Sequence, residues 1–143
     1  LDYLLPKGDT LHIKYNDGKI RTRNTSDKNS VDLPFAILTD SKTASASELF
    51  ACTMRDYGKA VLIGAKTYGK FVIQRTYTLS DGTKVKFTVA EFVSASGESF
   101  NGVGLTPDIE VDVGDYDGTL YYFMSETEDE ALQRAFDYFD KLG

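Results

Sequence analysis

Ser45 stands between a polar stretch, Thr39 to Ala44, and a helical run, with Glu48 three residues on. That spacing admits two readings. In a capping box, a serine at the helix N-cap and a glutamate at N3 satisfy each other's free amides. Glutamine also serves at N3, so on this reading Glu48→Gln changes little. In the second reading the same hydroxyl is a nucleophile, placed where backbone N–H groups and the helix dipole favour developing negative charge. The residues alone leave both open.

A serine nucleophile needs a base. The only histidine, His12, lies far away in sequence between Leu11 and Ile13. A Ser–His pair therefore predicts that His12→Ala abolishes activity. Lysine is the alternative, because an ammonium desolvated by apolar surroundings gives up its proton more readily and becomes a usable base. Lys70 lies in the run Thr67 to Gln74, beside Phe71, Val72 and Ile73, which are the apolar residues available to desolvate it.

The elements that must position these residues can be read from periodicity. Leu33 to Leu38 and Ala60 to Gly64 are apolar runs of strand length, the pattern of strands covered on both faces. Between them, Ser45 to Arg55 carries apolar residues at helical spacing, closed by Gly58. Strand, loop, helix and strand make a parallel crossover unit, which delivers Ser45 and Lys70 to the same edge of a sheet. Around it, Thr10 to Tyr15 and Lys19 to Arg23 flank the turn Asn16 to Gly18, and Val72 to Leu79 and Lys84 to Val93 flank Ser80 to Gly82. Both read as hairpins. Thr25 to Val31 reads as a mobile loop, Gly97 to Pro107 as a glycine-bearing loop, Ile109 to Val113 as a short strand and Asp115 to Ser125 as irregular. Glu126 to Leu142 reads as a helix with Ala131, Leu132, Ala135, Phe136 and Phe139 on one stripe. The fold class is mixed α/β: a strand–loop–helix–strand crossover core with added β hairpins and a C-terminal helix.

The 143 residues suffice for one domain with a real core, and 41% apolar with 13% aromatic residues is a globular composition. A net charge of −6 argues against nucleic-acid binding, which needs a basic surface. One cysteine, Cys52, excludes an internal disulfide, and no stretch approaches the length of a membrane span. Asp115 to Gly118 resembles part of a calcium loop, but Val113 and Met124 occupy ligand positions, so no metal site is expected there. No zinc cluster and no phosphate loop are present, and no cofactor is expected.

The run Leu33 to Glu48, with its S-A-S-E start at Ser45, resembles the nucleophile segment of the C-terminal processing (tail-specific) serine peptidases. Ala60 to Gly64, then Thr67-Tyr68-Gly69-Lys70 with Gln74 four residues later, is similar to the family's next block. Gly102 to Asp108 resembles its G-x-G-[IL]-x-P-D ending, and Leu4 to Gly8 the segment after its oxyanion-hole glycines. The resemblance implies a crotonase-like or ClpP-like core. It makes Ser45 the nucleophile, Lys70 the general base, Gln74 the residue that positions the lysine, and the Ala46 amide one oxyanion donor. Phe71 departs from the pattern, standing where the family usually carries a second glycine.

On this resemblance, residues 1–143 form the C-terminal part of a peptidase catalytic domain from a longer enzyme. The family's PDZ-like domain and its N-P-G-G strand would lie upstream of Leu1. The implied function is a serine endopeptidase cleaving proteins near their C-termini through an acyl-enzyme, weak or inactive as this fragment. The implied partner is a protein or peptide substrate, with self-association through exposed sheet edges. The implied location is the cell envelope or another extracytoplasmic site. The alternative is a non-catalytic relative of the same fold that binds peptides or apolar ligands.

Overall fold

A computed structural model describes residues 1–114 and 124–143. The stretch from Asp115, including the Asp115 to Gly118 segment, lies almost wholly outside the described residues. After a short 3-10 turn at Asp2–Leu4, the chain forms β1 (Gly8–Tyr15), β2 (Ile20–Ser26) and β3 (Phe35–Thr39). Then come α1 (Ala46–Asp56), β4 (Ala60–Gly64), β5 (Val72–Thr78), β6 (Lys84–Val93), β7 (Ile109–Glu110) and α2 (Glu130–Asp140).

Two sheets result. One is antiparallel, in the order β2-β1-β6-β5, and holds both hairpins; the other is parallel, in the order β3-β4-β7. The crossover is as expected: β3 and β4 run parallel, Phe35 opposite Ala60 through Thr39 opposite Gly64, with α1 between them in sequence. Alternation along β4 divides the core. Leu62 joins Ala51, Cys52, Phe71 and Leu105 on the α1 side, whereas Ile63 packs with Val111 and Ala135 on the α2 side, together with Val61 and Tyr138. The parallel sheet is therefore filled between two helices. The Tyr57 hydroxyl donates to the Asp9 carbonyl, fastening the C-terminal end of α1 to β1.

Several expectations need correction. Thr25 to Val31 is not wholly loop, since β2 continues to Ser26 and the Val31 amide donates to the Tyr3 carbonyl. β3 is an edge strand among the described residues; Leu38 is 40% and Leu33 59% exposed, so the run is not covered on both faces. α2 begins only at Glu130, because the Asp129 carboxylate accepts from the Leu132 amide and caps it there. Phe136 lies off its buried stripe, and Tyr138 packs into the core instead.

Candidate active site

Because Thr39 and Gly64 are paired, β3 and β4 end together, and the chain leaving each crosses the same sheet edge. The Ala65 amide donates to the Thr39 carbonyl and the Thr39 hydroxyl to the Ala65 carbonyl, holding the two exits side by side. A side chain at residue 64 would crowd this junction, since a Cβ on Gly64 would lie 2.1 Å from the Thr39 carbonyl oxygen.

Beyond β3, the Asp40 carboxylate accepts from the Thr43 amide and hydroxyl, forming a tight turn that delivers Ser45 to the start of α1. Ser45 has φ 60° and ψ −118°, and it is the non-glycine residue with positive φ among those described. An N-cap ordinarily has extended backbone with negative φ. A serine does not adopt this conformation for capping alone; it costs about 1–3 kcal/mol. A sharp, strained strand-to-helix turn is the way α/β enzymes lift a nucleophilic hydroxyl clear of the backbone.

Glu48 does more than cap. Its side chain is fully buried and accepts four hydrogen bonds. Oε2 takes the amides of Ser45 and Lys70, each at 2.8 Å. Oε1 takes the Gly69 amide at 2.6 Å and the Thr67 hydroxyl at 2.5 Å. Two amides bonded to one oxygen stand no further apart than twice 2.8 Å, so the main chains of Ser45 and Lys70 are neighbours. Four donors on one group suit the acceptor-only carboxylate. A glutamine would turn an NH2 toward two of them, so the expectation that Gln would substitute at 48 does not survive.

The side chains of the expected base and its helper are placed less completely. Lys70 and Gln74 are exposed, and neither side chain has a hydrogen bond or ion pair among the described residues. Phe71 does not desolvate Lys70. It is 1% exposed and turned into the core against Phe100. Gln74 lies on β5 opposite Thr88, directly after an irregularity in the pairing, where a strand re-aims its side chains. Ala46 opens α1, directly after Ser45, and is exposed.

His12 belongs to a different region. Its ring Nδ1 is 3.2 Å from the Thr22 hydroxyl and its Nε2 3.9 Å from the Asp9 carboxylate, on the β1–β2 hairpin. That hairpin meets the far end of α1, and 11 helical residues span about 16 Å. The Ser–His reading has no geometric support.

A strained serine at the start of a crossover helix, its amide sharing a carboxylate oxygen with the amide of a lysine, fits the peptidase resemblance. Residues 1–111 match the model of peptidase family S41. The chain belongs to that family. It is 37% identical over 116 residues to a "Probable CtpA-like serine protease" of Staphylococcus aureus, covering 78% of this chain and 23% of the relative. A protein with the same description from Staphylococcus epidermidis is 34% identical, with the same coverage. The chain thus spans about a quarter of the length of these relatives. Among solved structures, a photosystem II D1 C-terminal processing protease superposes with a TM-score of 0.71 at 36% identity, covering 77% of this chain and 29% of that one. A lipoprotein from Streptococcus agalactiae shares the fold, with a TM-score of 0.65 at 22% identity over 79% of this chain and 43% of that one.

Family membership thus accords with the mixed α/β fold, a serine peptidase lineage and a protein substrate class. Sequence reasoning missed the reach of Glu48 and gave Thr67 no role. Both residues lie in the S-A-S-E and T-Y-G-K motifs, but the bond that joins them spans 19 residues and leaves no local signature.

Proposed function

We propose that this chain carries the nucleophile and general base of a serine endopeptidase that cleaves proteins near their C-termini. Ser45 Oγ attacks the scissile carbonyl while Lys70 Nζ takes its proton. The tetrahedral oxyanion forms beside the Ala46 amide, and Lys70 returns the proton to the leaving amine as the acyl-enzyme forms. Water, deprotonated by the same lysine, then releases the acyl group and regenerates the serine. Gln74 steadies the lysine.

The observation that carries this reading is the backbone of Ser45. A capping or binding role gives no reason for positive φ at a serine, whereas presenting a hydroxyl for attack does. The surroundings suit a polypeptide. A groove of about 420 Å³ lined by Ile37, Leu38, Thr43, Ala46, Ser47 and Phe50 runs beside the start of α1. The larger cleft, about 570 Å³, lies at the other end of the strands near Phe35, Lys59 and Asp108, away from this chemistry. No helix among the described residues is long and apolar enough to cross a membrane. We place the full protein at the cell envelope, in keeping with the family resemblance, and fractionation tests that placement.

The test of the mechanism uses the full-length enzyme and an unstructured protein substrate. Ser45→Ala, Lys70→Ala and Lys70→Arg should each abolish cleavage and labelling by a serine-acylating probe, because arginine stays protonated at any usable pH. His12→Ala should remain active. Substantial activity in Lys70→Arg would rule out lysine as the base.

A further inference from the structure

Lys70 hangs from the loop between β4 and β5, and a base on an untethered loop would not hold its geometry. We propose that Thr67 is a positioning residue for Lys70, its hydroxyl locking that loop between the nucleophile's helix and the Gly102–Leu105 segment. The proposal rests on the Ser–Lys reading above and deepens it.

Thr67 is 5% exposed, and its hydroxyl both donates and accepts. It donates to Glu48 Oε1 and accepts from the Leu105 amide at 2.7 Å. One atom therefore joins the helix that carries Ser45 to a segment well beyond β6. Main-chain bonds close the clamp: the Thr67 amide donates to the Leu105 carbonyl, and the Gly102 amide to the Gly69 carbonyl. From the nucleophile's side, the Tyr68 amide donates to the Thr43 carbonyl, within the turn that delivers Ser45. The packing leaves no slack. A Cβ on Gly69 would lie 2.6 Å from the Gly104 amide nitrogen, and one on Gly104 would lie 2.1 Å from the Thr67 carbonyl oxygen.

Removing the hydroxyl while keeping the shape strands two groups. In Thr67→Val the buried Leu105 amide loses its acceptor and Glu48 Oε1 loses its shortest donor. With that tie gone, the segment carrying Lys70 keeps its main-chain bonds but loses the link that fixes its spacing to the Ser45 helix. A misplacement of about 1 Å lowers a rate by about 10²-fold.

The experiment measures kcat and KM of the full-length enzyme on a peptide substrate for Thr67→Val and Thr67→Ser, with Ser45→Ala and Lys70→Ala as references. Folding is checked by thermal melting. Thr67→Val is expected to lose about 10²-fold in kcat with KM nearly unchanged. Thr67→Ser, which restores the hydroxyl, is expected to recover most of that loss. A folded Thr67→Val with unaltered kcat would overturn the proposal, as would a serine variant no better than valine. If valine does not fold, alanine is compared with serine instead; failure of both hydroxyl-free variants to fold would assign the hydroxyl to folding and also overturn it. Activity in Lys70→Ala would refute the Ser–Lys reading itself, whatever Thr67 does.

Discussion

Cys52 lies two turns along α1 from Ser45, in the cluster of Ala51, Leu62, Phe71 and Leu105, with no exposed surface. Burial, and secondarily the nearby Asp56, pushes its thiol from 9.0 up to about 12. Since the thiolate is the reactive form, native protein should resist a thiol reagent at pH 8 and react only as it unfolds. Labelling followed across a urea gradient checks this; rapid labelling without denaturant would contradict it. The same shift has a sign for stability. The unfolded chain ionises this thiol first, so its contribution is intact below pH 9.0 and declines as pH rises from there toward about 12. Glu48, on the same helix, shows where single-residue reading stops. Its bond to the Ser45 amide spans three residues and was foreseeable, whereas Thr67, Gly69 and Lys70 stand 19, 21 and 22 residues away. No local pattern encodes that convergence.

Among the elements, those with local signatures were legible. The two hairpins, the crossover and the Gly58 closure of α1 each depend on turn chemistry or periodicity within a few residues. The openness of β3 was not legible, because an apolar run reads alike whether or not a neighbour covers it. Nor was the pairing of β1 with β6, which joins segments far apart in sequence. The glycines of the 102–107 segment offer a test of how tightly the elements interlock. Gly102 and Gly104 both have positive φ, 72° and 79°. A Cβ on Gly102 meets nothing within 4 Å, whereas one on Gly104 meets the Thr67 backbone. Gly102→Ala should therefore cost about 1 kcal/mol, from backbone strain alone. Gly104→Ala should cost clearly more and also lower activity, by prising the loop that carries Lys70 off its clamp. Urea midpoints of the two variants check the order, and equal values would show that the loop can yield.

At the scale of the molecule, β3 is an edge strand among the described residues, flanked by the exposed Leu33 and Leu38. Such an edge recruits a further strand unless charge or cover prevents it. The 143-residue chain by itself should therefore self-associate as its concentration rises, and Leu38→Lys should weaken that association without unfolding the chain. Sedimentation over a range of concentrations checks this, and a monomer at all concentrations would contradict it. The net charge of −6 opposes association at low ionic strength, so added salt should promote it.

The backbone of Ser45 has a consequence for how such a sequence changes over time. Strain of about 1–3 kcal/mol is a sizeable share of the roughly 5–15 kcal/mol that keeps a domain folded. On the proposed Ser–Lys reading, selection for a reactive hydroxyl holds a serine in a conformation that glycine adopts freely. A lineage released from that selection gains stability by losing the side chain. Among descendants of this fold that no longer perform the chemistry, residue 45 is where glycine should settle first, while Glu48 and Gly104, which the architecture still needs, change last.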